Sequence, residues 1–409
     1  MVFLRKIRLV LACSTVAAAA ADQADLTAVR REVAGLAQKL GDRAGVPEVA
    51  DTYLPIPRDA RWLPPAEARA AFAPLLPKLE KLRWWKPGLD PAKLEHALRE
   101  PAAVVAGGVA AHRAQLAGGD RGLALAREAA DFLLRAQDEA GAGVYPFPAV
   151  RGVTRDAAFK ASERFLARAE KEGRLAAIVH RGWVVDDLGD GGLQFDNAEA
   201  GLALLELYAV TRDPRDLASV RRAADWAAAR PLARNWNYNS FSVSLLARAY
   251  AATGERRYLE AARHKARVGV VPGQLTEGPR AGRWLDPHNA RPAYHYIMLR
   301  ALAHLTAVLP GNDTDRPEIL RALRLGLLAR NRDFTGPGAP NKDKAMETLL
   351  LVHHVFAADP AFLQDTLSTV ALDALGRLVS AQFKAGAAPL GPREWGLFLE
   401  YAAARPAGP

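Results

Sequence analysis

The sequence predicts an all-α chain of repeated helical hairpins that curl into an incomplete closed ring. Three observations point there. Half of the 409 residues are hydrophobic, Ala and Leu dominate, and Val or Ile runs of strand length are scarce. Ala and Leu are the residues that lose least on entering a helix. A helix–turn–helix pattern recurs about every 45–50 residues, a period typical of stacked hairpins. The longer, variable loops fall between one hairpin and the next, which would gather them around one cavity if the stack closes.

Residues 1–8 (MVFLRKIR) form a basic segment, residues 9–20 an apolar one, and Ala19, Ala20 and Ala21 a small-residue site. That order predicts a signal peptide over residues 1–21, hence a periplasmic or secreted protein. The apolar run is too short to span a bilayer, and no other stretch is long and apolar enough to do so. Val10-Leu11-Ala12-Cys13 also resembles a lipoprotein box, so a lipid anchor at Cys13 is the alternative. Cys13 is the single cysteine, so a mature chain would have no disulfide and no thiolate metal site.

The 55 basic and 45 acidic residues give a net charge of +10; loss of Arg5, Lys6 and Arg8 leaves 52 against 45, or +7. The basic residues are spread along helices and interleaved with acids, which speaks against a nucleic-acid partner.

Residues 22–100 form a helical lead-in, with an amphipathic helix over 26–40 and a Pro-rich stretch over 53–65 that cannot be regular helix. Residues 101–409 form the hairpin domain, with which the lead-in packs as one unit. Predicted helices cover 123–137, 198–209 and 215–229, 242–252 and 257–268, 294–308, then 348–358 and 360–380. Turns such as Thr211-Arg212-Asp213-Pro214 and Thr253-Gly254-Glu255 stop one helix and cap the next. Glu394-Trp395, after a Gly-Pro turn, could close the ring.

Three loops could carry chemistry. The first, residues 183–197 (WVVDDLGDGGLQFDN), holds Asp186, Asp187, Asp190 and Asp196. Clustered carboxylates suit acid catalysis or calcium, although the spacing is not that of a calcium helix-loop-helix, and Asp196 or Asn197 could simply cap a helix. The second, residues 235–241 (NWNYNSF), places Asn237 and Asn239 around Trp236 and Tyr238. Aromatic faces stack on sugar rings and amides bond hydroxyls or carboxylates; the plainer reading has Trp236 and Tyr238 in the core and Ser240 as a cap. The third ends WLDPHNARPAYHY and gathers Trp284, Asp286, His288, Asn289, Arg291, Tyr294 and His295, with Glu277 upstream. Here are a base, an acid and a carboxylate clamp on a loop stiffened by Pro287 and Pro292. No phosphate-cradling loop, nucleophile elbow or zincin motif is present.

The segments FLLRAQDEAGAGVYPFP (132–148), FDNAEAGLALLELYAVTRDPRDLASVRRAADW (195–226) and SLLARAYAATGERRYLEAA (244–262) resemble α/α-toroid carbohydrate-active enzymes. That group includes helical polysaccharide lyases, pectate lyases among them, and some glycoside hydrolases. The resemblance covers about half the chain and implies an (α/α) toroid with a glycan substrate. No cofactor is expected, the alternative being calcium on the clustered carboxylates of the first loop. The leading expectation is β-elimination on a uronate-containing polysaccharide. His288 would be the base, Tyr238 or Tyr294 the acid, and Arg291 with Asn237 or Asn239 the neutralising set. Trp236 and Trp284 would stack on sugars, with Asn289, Asp196 and Glu277 also binding. The alternatives are a hydrolase using Asp196 or Asp187 with Glu277 or Asp286, and a non-catalytic helical-repeat binder of glycans or peptides.

Overall fold

The structure is a computed structural model that describes residues 23–85, 94, 98–150, 157–188, 191–336 and 338–406. The expected signal peptide with Cys13, and Asp190 of the first loop, lie outside the described residues.

Helix α1 covers residues 23–40. In chain order follow α2 (Pro65–Ala70), α3 (Leu76–Lys81), α4 (Arg99–Arg113), α5 (Gly119–Ala140), α6 (Ala157–Lys171), α7 (Leu175–Ile178), α8 (Gly192–Thr211) and α9 (Pro214–Ala229). Then come α10 (Trp236–Thr253), α11 (Arg256–Gly269), α12 (Pro292–Val308), α13 (Arg316–Asn331), α14 (Lys342–Val355), α15 (Pro360–Asp365), α16 (Ser368–Lys384) and α17 (Pro392–Ala404). Two small sheets and four short 3-10 helices accompany them among the described residues. β1 (Leu54–Pro55) pairs with β5 (Gly338–Ala339), and β4 (Trp183–Val184) runs between β2 (Phe147–Pro148) and β3 (Val179–His180), all antiparallel.

Six helices form an inner ring. α4 packs on α8, α8 on α10, α10 on α12, α12 on α14, α14 on α17, and α17 returns to α4. The return contact is made backbone to backbone. A Cβ added at Gly107 would sit 2.1 Å from the Pro392 carbonyl oxygen, and one at Gly396 would sit 2.5 Å from that of Gly107. Only hydrogen at both positions lets α4 and α17 approach this closely. The C-terminal helix carrying Glu394-Trp395 is thus the element that meets the first inner helix.

Five inner helices carry an outer partner from their own hairpin: α5 on α4, α9 on α8, α11 on α10, α13 on α12 and α16 on α14. The partner of α17 comes from the lead-in, where α2 packs on it. Trp62 stacks on Phe398 and tilts against Tyr401, and the Leu63 amide donates to Ser380 Oγ at 2.9 Å. The helices differ in dress as their positions require. From Leu193 to Leu207, α8 is buried almost without interruption, whereas α11 buries one stripe and exposes the other.

Turn chemistry explains the hairpins. Asp213 accepts the Arg215 amide at 2.9 Å with Pro214 at the first helical position of α9, and Gly254 ends α10 with a left-handed backbone, φ 72°. Two boundaries differ from expectation. The helix predicted over 360–380 is broken, because Leu367 takes φ 55° and the Thr366 hydroxyl bonds back to the Phe362 carbonyl. Helices α8 and α10 begin six residues before their predicted starts, so most of the second presumed loop and the end of the first are first turns of helix.

Charged layers cross the ring. Arg300 of α12 reaches Glu199 of α8 at 2.6 Å and Glu347 of α14 at 2.5 Å; Arg393 of α17 meets the same two carboxylates at 3.0 and 3.3 Å. All four residues are buried. Burial opposes ionisation of Glu199, yet Arg300 and Arg393 hold it at about 2. Further along the helices, Arg113 of α4 binds Glu206 of α8 at 3.0 Å and also Glu400 of α17, while Arg248 of α10 binds Glu206 at 2.8 Å. Residues 199 and 206 of α8 are therefore level with residues 393 and 400 of α17, and the two helices run parallel. The same holds for α4, whose Arg99 meets Asp196 and whose Arg113 meets Glu206. The inner helices thus start at one end of the ring.

Candidate active site

The starts of four inner helices surround a cavity of about 460 Å³. Arg99 enters from α4, Asp196 with Phe195 from α8, Asn237, Tyr238 and Phe241 from α10, and Tyr294 from α12. Phe147 of β2, Val184 of β4 and Phe165 of α6 wall one side, and Asp187 adds a second carboxylate. Mostly apolar walls with a few converging polar groups are the usual build of a ligand site.

Arg99 and Asp196 tie α4 to α8. Arg99 Nε donates to Asp196 Oδ1 at 2.9 Å and Nη2 to Oδ2 at 3.4 Å, with the guanidinium lying 4.1 Å over the Phe195 ring. Asp196 is fifth in its helix, so it is not the cap that was considered. Its burial pushes the carboxyl up, against the pull of Arg99. Arg99 keeps about a third of its side chain exposed and can still meet a ligand. Asp187 accepts the Leu193 amide at 2.9 Å, within the first turn of α8.

Tyr238 stands where these groups meet. Burial, and next the neighbouring Tyr294, push its phenol above the ordinary range; Arg99 acts in the opposite sense, and Asp196 and Asp187 in the same sense. Tyr238 lies directly against Gly191, where a Cβ would come within 2.5 Å of the ring and where φ is 88°. Gly191 thus lets the chain turn tightly over the tyrosine.

The asparagines form an oriented chain. Asp286 Oδ2 accepts from Asn289 Nδ2 at 3.2 Å, and Asn289 Oδ1 accepts from Asn237 Nδ2 at 2.9 Å. A carboxylate only accepts, so the direction of the chain is set at Asp286. The carbonyl Oδ1 of Asn237 is left buried, without a donor among the described residues, on the cavity wall. The amide donor expected to neutralise a carboxylate is thus engaged with Asn289, and the unpartnered group of Asn237 is an acceptor.

The other predicted residues divide. His288 is not on the cavity wall. Its ring stacks on Tyr294, centroids 4.6 Å apart, and its Nδ1 lies 3.6 Å from Glu48. Arg291 is likewise outside, paired with Glu48 at 2.7 Å. Trp236 packs over Gly273, where a Cβ would come within 2.4 Å of the indole. Trp284 is wholly buried and donates to the Val270 carbonyl at 2.9 Å, so it cannot stack on a sugar. Asn239 is spent on backbone: it accepts the Ala233 amide and donates to the carbonyls of Ala233 and Gly269, all at 2.8 Å. His295 is buried with Nε2 at 2.8 Å from the Gly282 oxygen, and Glu277 is exposed away from the cavity. Ser240 bonds the Trp236 carbonyl, while Asn235 caps α10.

Arg99 was the residue missed: nothing in Leu98-Arg99-Glu100-Pro101 separates it from an ordinary helix start. Among the described residues no group of three or more His, Cys, Asp or Glu is placed to hold a metal, and no helix is long and apolar enough to cross a membrane.

No family model matches this sequence, and no curated protein matches it. Solved structures do resemble it. A polysaccharide lyase, BACCELL_00875, superposes with a TM-score of 0.50 at 13% identity, covering 83% of this chain and 96% of that one. The fold is an α/α toroid. A glycosyl hydrolase of family 88 from Bacteroides vulgatus gives 0.49 at 11% identity, covering 83% and 98%. At 13% identity the toroid is what this chain shares with the lyase, and it is the shape that the ring of inner helices describes.

Proposed function

We propose that this toroid is an exported polysaccharide lyase that cleaves a uronate-containing glycan by β-elimination. The observation that carries the reading is that Arg99, Asp187, Asp196, Tyr238 and Tyr294 line one cavity at the starts of the inner helices. Elimination needs the uronate carboxylate neutralised, a base for the proton beside it, and an acid for the departing oxygen. Arg99 supplies the cation. Tyr294, on the cavity wall and backed by the His288 ring, is the group placed to take the proton; the electron pair forms the carbon–carbon double bond as the carbon–oxygen bond breaks. Tyr238, kept protonated by its surroundings, gives its proton to the departing oxygen. Asn237 Oδ1 receives a sugar hydroxyl. The lyase of the same fold supports this choice, and the basic-then-apolar start of the chain supports export.

One observation favours a second reading. Asp187 and Asp196 both line the cavity, so a two-carboxylate hydrolase has its pair at hand. The partners expected from sequence do not serve: Glu277 faces away, and Asp286 holds the His288 amide and Asn289. A screen of acidic polysaccharides with the purified chain separates the two. Elimination gives an unsaturated sugar absorbing in the near ultraviolet, whereas hydrolysis gives new reducing ends without that absorbance.

A further inference from the structure

The cavity uses the starts of α4, α8, α10 and α12; the starts of α14 and α17 complete the same circle. There Glu394, third residue of α17, is 6% exposed, and its carboxylate receives no hydrogen bond among the described residues. The nearest cation is Lys344 Nζ at 3.9 Å, which also meets Glu347 at 3.3 Å. Lys344 keeps 21% of its side chain exposed. Asp343 stands beside it at the first turn of α14. A carboxyl sequestered this far without a donor is costly unless it is protonated or meets a ligand.

We infer that Lys344 and Glu394 form a subsite for the carboxylate of the neighbouring uronate in the chain, so that the enzyme recognises two or more acidic sugars at once. This rests on the lyase reading. The ammonium of Lys344 would pair with the guest carboxylate, and the protonated carboxyl of Glu394 would donate a hydrogen bond to it. Burial, opposed by Lys344 and reinforced by Glu347 and Asp343, pushes Glu394 up to about 7, so that proton is present at mildly acidic pH. The charged groups facing Glu394 are Lys344, Asp343 and Glu347 of α14 and Arg393 of its own helix. From α4 the contact is the Gly107 backbone. The charges of α2 are engaged elsewhere, Arg69 with the Ala403 carbonyl and Glu67 with Lys384.

The test is calorimetric binding of galacturonate, glucuronate and mannuronate oligomers, two to six residues long, to the full chain at pH 6 and pH 8. The oligomer that binds should lose about tenfold in affinity between the two pH values as Glu394 ionises and repels its guest. Glu394→Gln should abolish that loss and bind equally at both. Lys344→Met should weaken binding at both about tenfold, with far-ultraviolet circular dichroism unchanged. If parent and Glu394→Gln show the same pH dependence, the subsite is refuted while the lyase reading stands on turnover. If no uronate oligomer binds or is cleaved, both fall.

Discussion

Asn237 of α10 donates to Asn289 of the loop before α12 at 2.9 Å, and Asn289 in turn donates to Asp286 at 3.2 Å. This relay fixes the direction of the Asn237 amide at the cavity wall and leaves its carbonyl buried, without a donor among the described residues. Replacing Asp286 by Asn removes the acceptor that sets its direction. The expected result is a KM raised about tenfold with kcat changed little, the mark of a lost binding contact. Steady-state kinetics on a cleaved glycan check it.

Tyr238→Phe keeps the ring against Gly191 and removes the hydroxyl. If that hydroxyl protonates the departing oxygen, kcat falls roughly 10²–10³-fold with the melting temperature preserved. Arg99→Gln should cost a comparable factor and also loosen the fold, because it leaves Asp196 buried without its cation.

Arg300 bridges Glu199 and Glu347 in the dry interior of the ring. Arg300→Met leaves both carboxylates facing only Arg393 and Lys344. Urea unfolding should show a loss of about 3–5 kcal/mol. Adding Glu199→Gln to Arg300→Met should recover part of it, since the two share one network.

Glu394 yields a pH dependence whose sign follows from linkage. Its carboxyl lies at about 7 in the folded chain against an ordinary 4.5. A group that binds its proton more tightly when folded stabilises below about 4.5, and that contribution is lost as pH rises through about 7. Glu394→Gln should therefore be more stable than the parent at pH 8, on the order of 2–3 kcal/mol, and indistinguishable at pH 4. Unfolding curves at the two pH values decide.

The hairpins were legible because each is written twice, in the 3.6-residue spacing of apolar side chains and in turns such as Asp213-Pro214. The expected toroid agrees with the solved lyase structure that shares its shape. Of the site, Asp196, Asn237, Tyr238 and Tyr294 stood out as polar or phenolic groups leading apolar helices, and the structure brings them to one cavity. Trp284 and Asn239 show what spacing conceals. An indole reads alike in core or cleft, and an amide alike on substrate or backbone, until burial and partners are known. Glu199 and Arg300 were passed over, although a lone charge within an apolar inner helix signals a buried partner, because that partner lies 101 positions away in sequence.

The most direct test of the mechanism is cleavage of an acidic polysaccharide in oxygen-labelled water, with the new chain ends read by mass spectrometry. The Tyr238-centred elimination predicts a product one water short at its new end, carrying no label, and a rate that collapses in Tyr238→Phe. Label at the new reducing end, with full rate in Tyr238→Phe and loss in Asp187→Asn or Asp196→Asn, would contradict it and assign the cavity to hydrolysis.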